Sequence, residues 1–123
     1  PMEIHFVHQS TKGHYAVLSV LVKPGEENDM IQNIIENAPD AGETFQAVTE
    51  HVDPSTLLSG DKKHYRYSGS FTTPPCTEGI AWHVMTTPIQ ASKDQIKRLS
   101  DLLGENNRPL QVENDRLIAV ASK

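Results

Sequence analysis

A pair of adjacent prolines, Pro74 and Pro75, constrains this chain more than any other feature of its sequence. Each proline lacks a backbone N–H, has a fixed φ and restricts the residue before it to extended geometry. The two threonines that precede the pair, Thr72 and Thr73, are therefore held on a turn with few conformations. The Pro–Pro bond in such a turn is also a candidate cis peptide.

Strand-like runs flank this bend on both sides. An alternating run with Tyr65 and Tyr67 enters it, and an apolar run with Ile80, Trp82 and Val84 leaves it. This pattern predicts two strands joined by a rigid connection. From these residues alone the stretch fits a stiff hairpin connection as well as a functional loop.

The first quarter of the chain predicts an antiparallel hairpin. Residues 2–9 alternate like a strand, with Glu3, His5 and Val7 on one face. Residues 15–22 are rich in Val and Leu without clean alternation, which suits a strand buried on both faces. The opening strand has the character of a central strand, so we expect it to have a neighbour on each side.

Two amphipathic helices are predicted beside the strands. The first spans residues 26–37. The second begins with a capping box at Ser92 and ends at Gly104. Asp53 followed by a proline predicts one short helical turn. The buried face of the second helix is expected to consist of Ile96, Leu99 and Leu103.

Two further strands, predicted over residues 45–48 and over residues 117–121, complete a β-dominated segment with surface helices. The strand that leaves the bend is predicted to continue over residues 82–89 until Pro88. The chain of 123 residues is long enough for one domain but not comfortably for two.

Composition excludes two classes of partner. A formal net charge of -5 argues against nucleic acid, which needs clustered Lys and Arg. We find no apolar run long enough to cross a membrane. The chain begins at Pro1 without an initiator Met, so we expect that it was processed or that upstream residues are missing.

Six histidines are present, and no two of them have the helical spacing of a metal-binding motif. His5 stands out because Glu3, two residues away on the same strand face, can accept the N–H of a metal-bound imidazole. A histidine that is hydrogen-bonded for structure alone fits the same residues. His8 faces the opposite side and is not expected to bind the same ion.

The single cysteine, Cys76, follows the proline pair. It suits a small buried thiol, and it also suits half of a disulfide whose partner lies outside this chain. Composition does not decide between them.

Several segments, in order along the chain, together resemble the α-class carbonic anhydrases, and specifically the C-terminal half of that domain in its bacterial type. The proline-rich segment and the histidine strand, at this separation, make the resemblance specific. The matching segments are Glu3-Ile4-His5-Phe6-Val7-His8, Tyr15-Ala16-Val17-Leu18-Ser19-Val20, Asp53-Pro54 with Leu57-Leu58, Tyr67-Ser68-Gly69-Ser70-Phe71-Thr72-Thr73-Pro74-Pro75-Cys76-Thr77-Glu78 with Trp82, and Asn107-Arg108-Pro109.

The resemblance implies a mainly β fold, with a large central, mixed, mostly antiparallel twisted sheet and a few surface helices. It implies reversible hydration of carbon dioxide to bicarbonate through a hydroxide bound to Zn2+, which three imidazoles hold with one position open. In this pattern His5 is a zinc ligand and Glu3 its acceptor. Thr72 is the catalytic hydroxyl that orients the zinc hydroxide, and Thr73 contacts bicarbonate.

Other positions take their expected roles from the same resemblance. Tyr67 belongs to the hydrogen-bonded support behind the site, and Arg108 to a structural contact. Cys76 is expected to pair with a cysteine of the N-terminal half, which goes with a periplasmic or secreted location. The apolar wall for carbon dioxide is expected to consist of Val7, Val17, Phe71, Ile80 and Trp82.

This sequence departs from the family pattern in ways that limit the activity expected of residues 1–123 alone. The family's other two zinc histidines, the glutamate that partners Thr72 and the proton-shuttle histidine all lie upstream of the position that matches Pro1. We therefore expect residues 1–123 to be the C-terminal half of one domain, inactive without the missing N-terminal half. Phe71 stands where leucine is commoner, so the pocket mouth is expected to be narrower.

Partners and alternatives follow from the same comparison. Sulfonamide-type anions are expected at the zinc, and a homodimer is left open. The alternative function is a non-catalytic binding or structural module with the same fold.

Overall fold

The computed structural model describes residues 1–40, 42–43 and 52–122. The strand predicted over residues 45–48 lies outside these ranges. The elements in chain order are β1 (Met2–Gln9), β2 (Tyr15–Pro24), α1 (Asp29–Asn37), a 3-10 turn (Pro54–Leu57), β3 (His64–Ser70), β4 (Glu78–Met85), β5 (Ile89–Ala91), α2 (Lys93–Leu103) and β6 (Ala119–Ala121).

The strands form one mixed sheet in the order β1-β2-β4-β3-β6. The short strand β5 pairs with residues 22–24 of β2, after the part of β2 that pairs with β4. The pairs β1–β2, β3–β4 and β3–β6 are antiparallel, whereas β2 is parallel to both β4 and β5. The predicted β-dominated, mostly antiparallel fold is confirmed. The expectation of a central opening strand is not met within the described residues, where β1 lies at one end of the sheet and pairs with β2.

Both predicted hairpins are present. Between β1 and β2 the chain turns through Gly13, whose φ is +82° and whose N–H donates to the carbonyl of Ser10. Between β3 and β4 lies the proline bend, in which the Pro74–Pro75 peptide is cis, as expected. The register of this second hairpin shifts between Gly69 and Ser70, just before the bend.

Alternation along β1 and β2 divides the apolar side chains between the two faces of the sheet. One face packs against both helices around Val22, Ile31, Leu57 and Ala91. The opposite face carries a second cluster of Val17, Ile80 and Trp82, flanked by Tyr15, Tyr67, Phe71 and Val84. This second face also carries the side chains of the candidate site.

Two of the predicted boundaries differ in the structure. Helix α1 begins at Asp29 and not at residue 26, because the Asn28 side chain caps it by accepting the N–H of Ile31. The strand after the bend ends at Met85 and not at Pro88, and one residue further the N–H of Thr86 donates to the carbonyl of Lys63, 3.0 Å away.

Two predictions for the C-terminal part of the chain differ from the structure. Leu103 was predicted to lie on the buried face of α2 but is 56% exposed. Leu117 is 84% exposed, and the closing strand begins two residues later, at Ala119.

The two helices are joined by the buried side chain of Gln95, which is 3% exposed. It completes the predicted capping box with Ser92. Its Oε1 accepts the N–H groups of Asn28 and Ser92 at 3.0 and 3.1 Å. Its Nε2 donates to the carbonyl of Asn28 at 2.9 Å and to Gln32 at 3.3 Å.

We expect Gln95→Met to lower the free energy of unfolding of the intact protein by about 2–4 kcal/mol. The substitution keeps most of the side-chain volume but leaves the partly buried N–H groups of Asn28 and Ser92 without their acceptor, at about 1–2 kcal/mol each. Urea unfolding measures the change. Gln111→Met is the control, because Gln111 is exposed and donates only to the nearby carbonyl of Pro109. Equal midpoints for the two variants would contradict the prediction.

Candidate metal centre

His5 and Glu3 project from the face of β1 that is turned away from the helices. The Nε2 atom of His5 lies 2.9 Å from Oε1 of Glu3. Because a carboxylate only accepts hydrogen bonds, Nε2 carries the proton and donates. The remaining ring nitrogen, Nδ1, then has its lone pair available to a metal ion. The side chain of His5 is 29% exposed and that of Glu3 is 41% exposed, so both are partly accessible to solvent and neither lies in the core.

A third side chain, Ser19 on β2, joins this pair. Ser19 is fully buried and lies directly opposite His5 in the β1–β2 register. Its hydroxyl donates to the same Oε1 of Glu3 that accepts from His5. The sequence did not reveal this residue, because a single serine in an apolar strand does not show what lies across from it.

The two donors favour the charged form of Glu3. The hydrogen bond from His5 is the largest influence and lowers the pKa of the carboxyl below its usual value, with Ser19 acting in the same direction. Partial burial opposes them by raising the pKa. The result is an ionised carboxylate at neutral pH, which is the form that accepts from both neighbours.

His5 and Thr72 face the same open space. A cavity of about 690 Å³ is lined by Glu3, His5, Thr72, Thr73 and Arg108, together with residues of β1 and of the segment from α2 onward. A second cavity, of about 380 Å³, shares Glu3, His5, Thr72 and Arg108 with the first. The structure therefore brings His5 and Thr72 to the same cavity.

Backbone hydrogen bonds hold the threonine bend in place. The N–H of Phe71 donates to the carbonyl of Thr77 at 2.9 Å, and the N–H of Cys76 donates to the carbonyl of Thr73 at 2.9 Å. Cys76 itself adopts a φ of +56°. These bonds close the loop on either side of the prolines, so the Thr72 position is set by β3 and β4 together.

The predicted apolar wall is brought together only in part. Trp82 lines the smaller cavity, and Val17 and Ile80 are packed with it in one buried cluster, against which Phe71 also packs. Val17 and Ile80 are 1% and 2% exposed, so they pack against Trp82 in the buried cluster and do not themselves line the cavity. Val7, by contrast, is 57% exposed on the open face of β1.

Aromatic rings make a continuous floor beneath His5. The His5 and Trp82 rings meet edge to face at 4.9 Å, and Trp82 stacks on Tyr67 at 6.2 Å. Gly69 permits this stack, since a Cβ there would lie 2.9 Å from Trp82 Cδ1. The guanidinium of Arg116 lies 5.6 Å from the centre of the Tyr67 ring, a cation–π contact that the sequence did not predict.

Burial and the nearby Glu3 carboxylate raise the pKa of the Tyr67 phenol, and Arg116 opposes them. The phenol therefore stays protonated at neutral pH. It remains able to donate a hydrogen bond.

Ser70 ties the floor to the C-terminal segment. Arg108 donates from Nη1 to the Ser70 hydroxyl at 2.6 Å, and Trp82 donates from Nε1 to the Ser70 carbonyl at 3.0 Å. Arg108 thus makes the structural contact that the sequence predicted, and it also lines both cavities.

The described residues do not contain a complete metal site. No group of three or more His, Cys, Asp or Glu side chains among them could hold a metal ion. His64 and His83 lie 5.1 Å apart on β3 and β4, outside both cavities. Cys76 has a free thiol in this part of the chain, and its predicted disulfide stays a prediction. No helix in the described ranges is long and apolar enough to span a membrane.

Comparison with known proteins gives consistent matches over almost the whole chain. Residues 1–121 match the family described as eukaryotic-type carbonic anhydrase. The carbonic anhydrase of Nostoc sp. is 40% identical over 121 residues, which cover 98% of this chain and 46% of that protein.

Two solved structures match at similar levels. A hyperthermostable carbonic anhydrase identified from an active hydrothermal vent chimney is 45% identical with a TM-score of 0.91, covering 98% of this chain and 54% of that one. The α-carbonic anhydrase of Thermovibrio ammonificans, in complex with the inhibitor sulfanilamide, is 38% identical with a TM-score of 0.90, covering 94% and 52%. The chain spans about half the length of the relatives it matches.

Proposed function

The chain belongs to the α-class, or eukaryotic-type, carbonic anhydrase family, and from this premise we propose that it supplies part of a zinc centre for the reversible hydration of carbon dioxide to bicarbonate and a proton. The observation that carries the proposal is the shared cavity of His5 and Thr72, with Glu3 bonded to the imidazole. When bound, zinc acts as a Lewis acid that lowers the pKa of a coordinated water to about 7.

His5 is the metal ligand of this chain, through Nδ1. A zinc site of this kind needs three protein ligands with one open position. His5 fits as one of them, and the other two come from outside the described residues. Glu3 keeps the His5 proton on Nε2 and so presents the lone pair of Nδ1 to the cavity.

Thr72 is the catalytic hydroxyl of this chain. Its hydroxyl orients the attacking oxygen and restricts the geometry of attack on carbon dioxide. Thr73 contacts the bicarbonate product. The apolar surface around Trp82 keeps a small, uncharged substrate beside the site without hydrogen bonds that would compete for it.

We propose that residues 1–123 are the C-terminal half of a single domain, whose N-terminal half contributes the remaining zinc ligands. The half-length coverage of its relatives supports this assignment. Sulfonamide anions are expected ligands of the zinc, because a neighbouring α-carbonic anhydrase structure contains sulfanilamide. A periplasmic or secreted location, with a disulfide at Cys76, completes the proposal.

Zinc analysis and a stopped-flow carbon dioxide hydration assay of the intact protein test this function. We expect one zinc per domain, hydration activity that sulfanilamide inhibits, and loss of activity on chelation with recovery after zinc is returned. A folded protein with neither zinc nor activity would overturn the proposal and would favour the non-catalytic module.

A further inference from the structure

We propose that Ser19 is a positioning residue for the metal centre: its buried hydroxyl holds the Glu3 carboxylate in place, and Glu3 in turn keeps His5 in the tautomer that presents Nδ1 to a metal. The inference deepens the proposed function and rests on it for the identity of the ion. The geometry of the three side chains does not depend on any ion.

The sheet register brings the three residues together. His5 and Ser19 are directly opposite in the antiparallel β1–β2 pair, and Glu3 is opposite Leu21. Side chains at paired positions lie on the same face, as do residues two apart on one strand. Ser19 therefore lies beside both members of the His5–Glu3 pair, at the floor of the face from which they project.

Burial makes the Ser19 hydroxyl a dependable donor. Ser19 is 0% exposed, so its proton has no bulk water to bond and is directed to Oε1 of Glu3. Glu3 itself is 41% exposed and carries a flexible side chain that water can solvate. A fixed donor beneath it selects one orientation from those that an exposed carboxylate would otherwise sample.

Orientation of Glu3 decides the tautomer of His5. In a neutral imidazole one nitrogen carries the proton and the other has the lone pair, and the partner of the protonated nitrogen determines which is which. With Glu3 held against Nε2, the proton stays there and Nδ1 is left as the acceptor. If Glu3 turned to solvent, both tautomers would be populated and only part of the protein would present Nδ1 correctly.

The first test reads the tautomer in the metal-free intact protein by nitrogen-15 NMR of labelled histidines. We expect the wild type to show a single His5 tautomer with the proton on Nε2, and Ser19→Ala to show a mixture of both. Val20→Ala is the matched control: Val20 is also 0% exposed and adjacent on β2, but alternation places its side chain on the opposite face, the same face as Val22, which packs against the helices. It should destabilise the protein without changing the tautomer.

The second test measures zinc affinity by chelator competition. We expect Ser19→Ala to weaken binding about threefold to tenfold, at or below the lower end of the range for groups that orient metal ligands. In a Glu3→Ala background the same substitution should change affinity by less than about twofold, since Ser19 acts through Glu3.

Ser19→Ala with the wild-type tautomer and unchanged zinc affinity would overturn the inference. An equal tautomer change in Val20→Ala would also overturn it, because the effect would then be a general loosening of the sheet. The NMR reading needs no metal and no activity. It therefore stays informative if the intact protein fails to bind zinc or to hydrate carbon dioxide.

Discussion

Replacing His5 by alanine is expected to weaken zinc binding by more than about 100-fold and to remove carbon dioxide hydration with it. Loss of a ligand should exceed the 10–100-fold effect that is usual for the groups that only orient ligands. His5 lines the cavity, and Glu3 is not expected to replace it as a ligand, because the carboxylate still accepts the hydrogen bond of the buried Ser19 hydroxyl in this variant. Chelator competition and metal analysis of the purified intact protein measure the change.

His8→Ala is the matched control for this experiment. His8 belongs to the same strand, and its Nδ1 lies 2.9 Å from the carbonyl of Phe6. It lies on the opposite face from His5, so we expect zinc affinity to stay within about twofold of the wild type. A His5→Ala protein that retains one tightly bound zinc would remove His5 from the site and leave only the fold assignment.

The second large effect is expected at Thr72. Thr72→Ala should lower kcat/KM for carbon dioxide hydration by about 100-fold, comparable with the loss of one preorganised hydrogen-bonding group from an active site. Zinc content should not change, because the threonine lines the same cavity as His5 but is not a ligand in this proposal. The two measurements together separate loss of catalysis from loss of the metal.

Two further variants make the Thr72 experiment specific. Thr72→Ser keeps the hydroxyl and should retain activity within about tenfold of the wild type. Thr11→Ala removes an exposed hydroxyl from the turn between β1 and β2 and should leave kcat/KM unchanged. Activity of Thr72→Ala close to that of Thr11→Ala would show that the hydroxyl takes no part in the reaction.

Features specified by neighbouring residues were predicted well from the sequence. The capping box at Ser92, the 3-10 turn after Asp53 and the cis peptide at the proline pair all depend on residues within a few positions of each other. Alternation along β1 correctly placed Glu3 and His5 on one face. For such features the local chain geometry contains the whole physical cause.

Features specified across the sheet were not predicted. The bond from Ser19 to Glu3 spans 16 positions, and the cation–π contact joins Arg116 to Tyr67 from the far end of the chain. Neither pair is marked by a motif, because its geometry follows from strand register and loop path.

The candidate site was predicted from the family resemblance more than from the residues themselves. Without the resemblance, the sequence did not decide between a structural and a metal-binding role for His5. It also did not decide whether the threonine bend is a stiff hairpin connection or a functional loop. The structure brings the two together around one cavity, while Val7 lies on an exposed part of β1 that the described chain does not cover.

The parallel pairing of β2 with β4 has a consequence for the order in which the site assembles. Each antiparallel hairpin connects segments near in sequence, whereas the β2–β4 ladder joins Ala16 to Ala81 and Val17 to Trp82. Closing such a long loop costs more chain entropy and slows the step that requires it. We therefore expect the ring of Trp82 to come beneath His5 only when the two hairpins dock, so that the cavity lined by both residues forms late in folding.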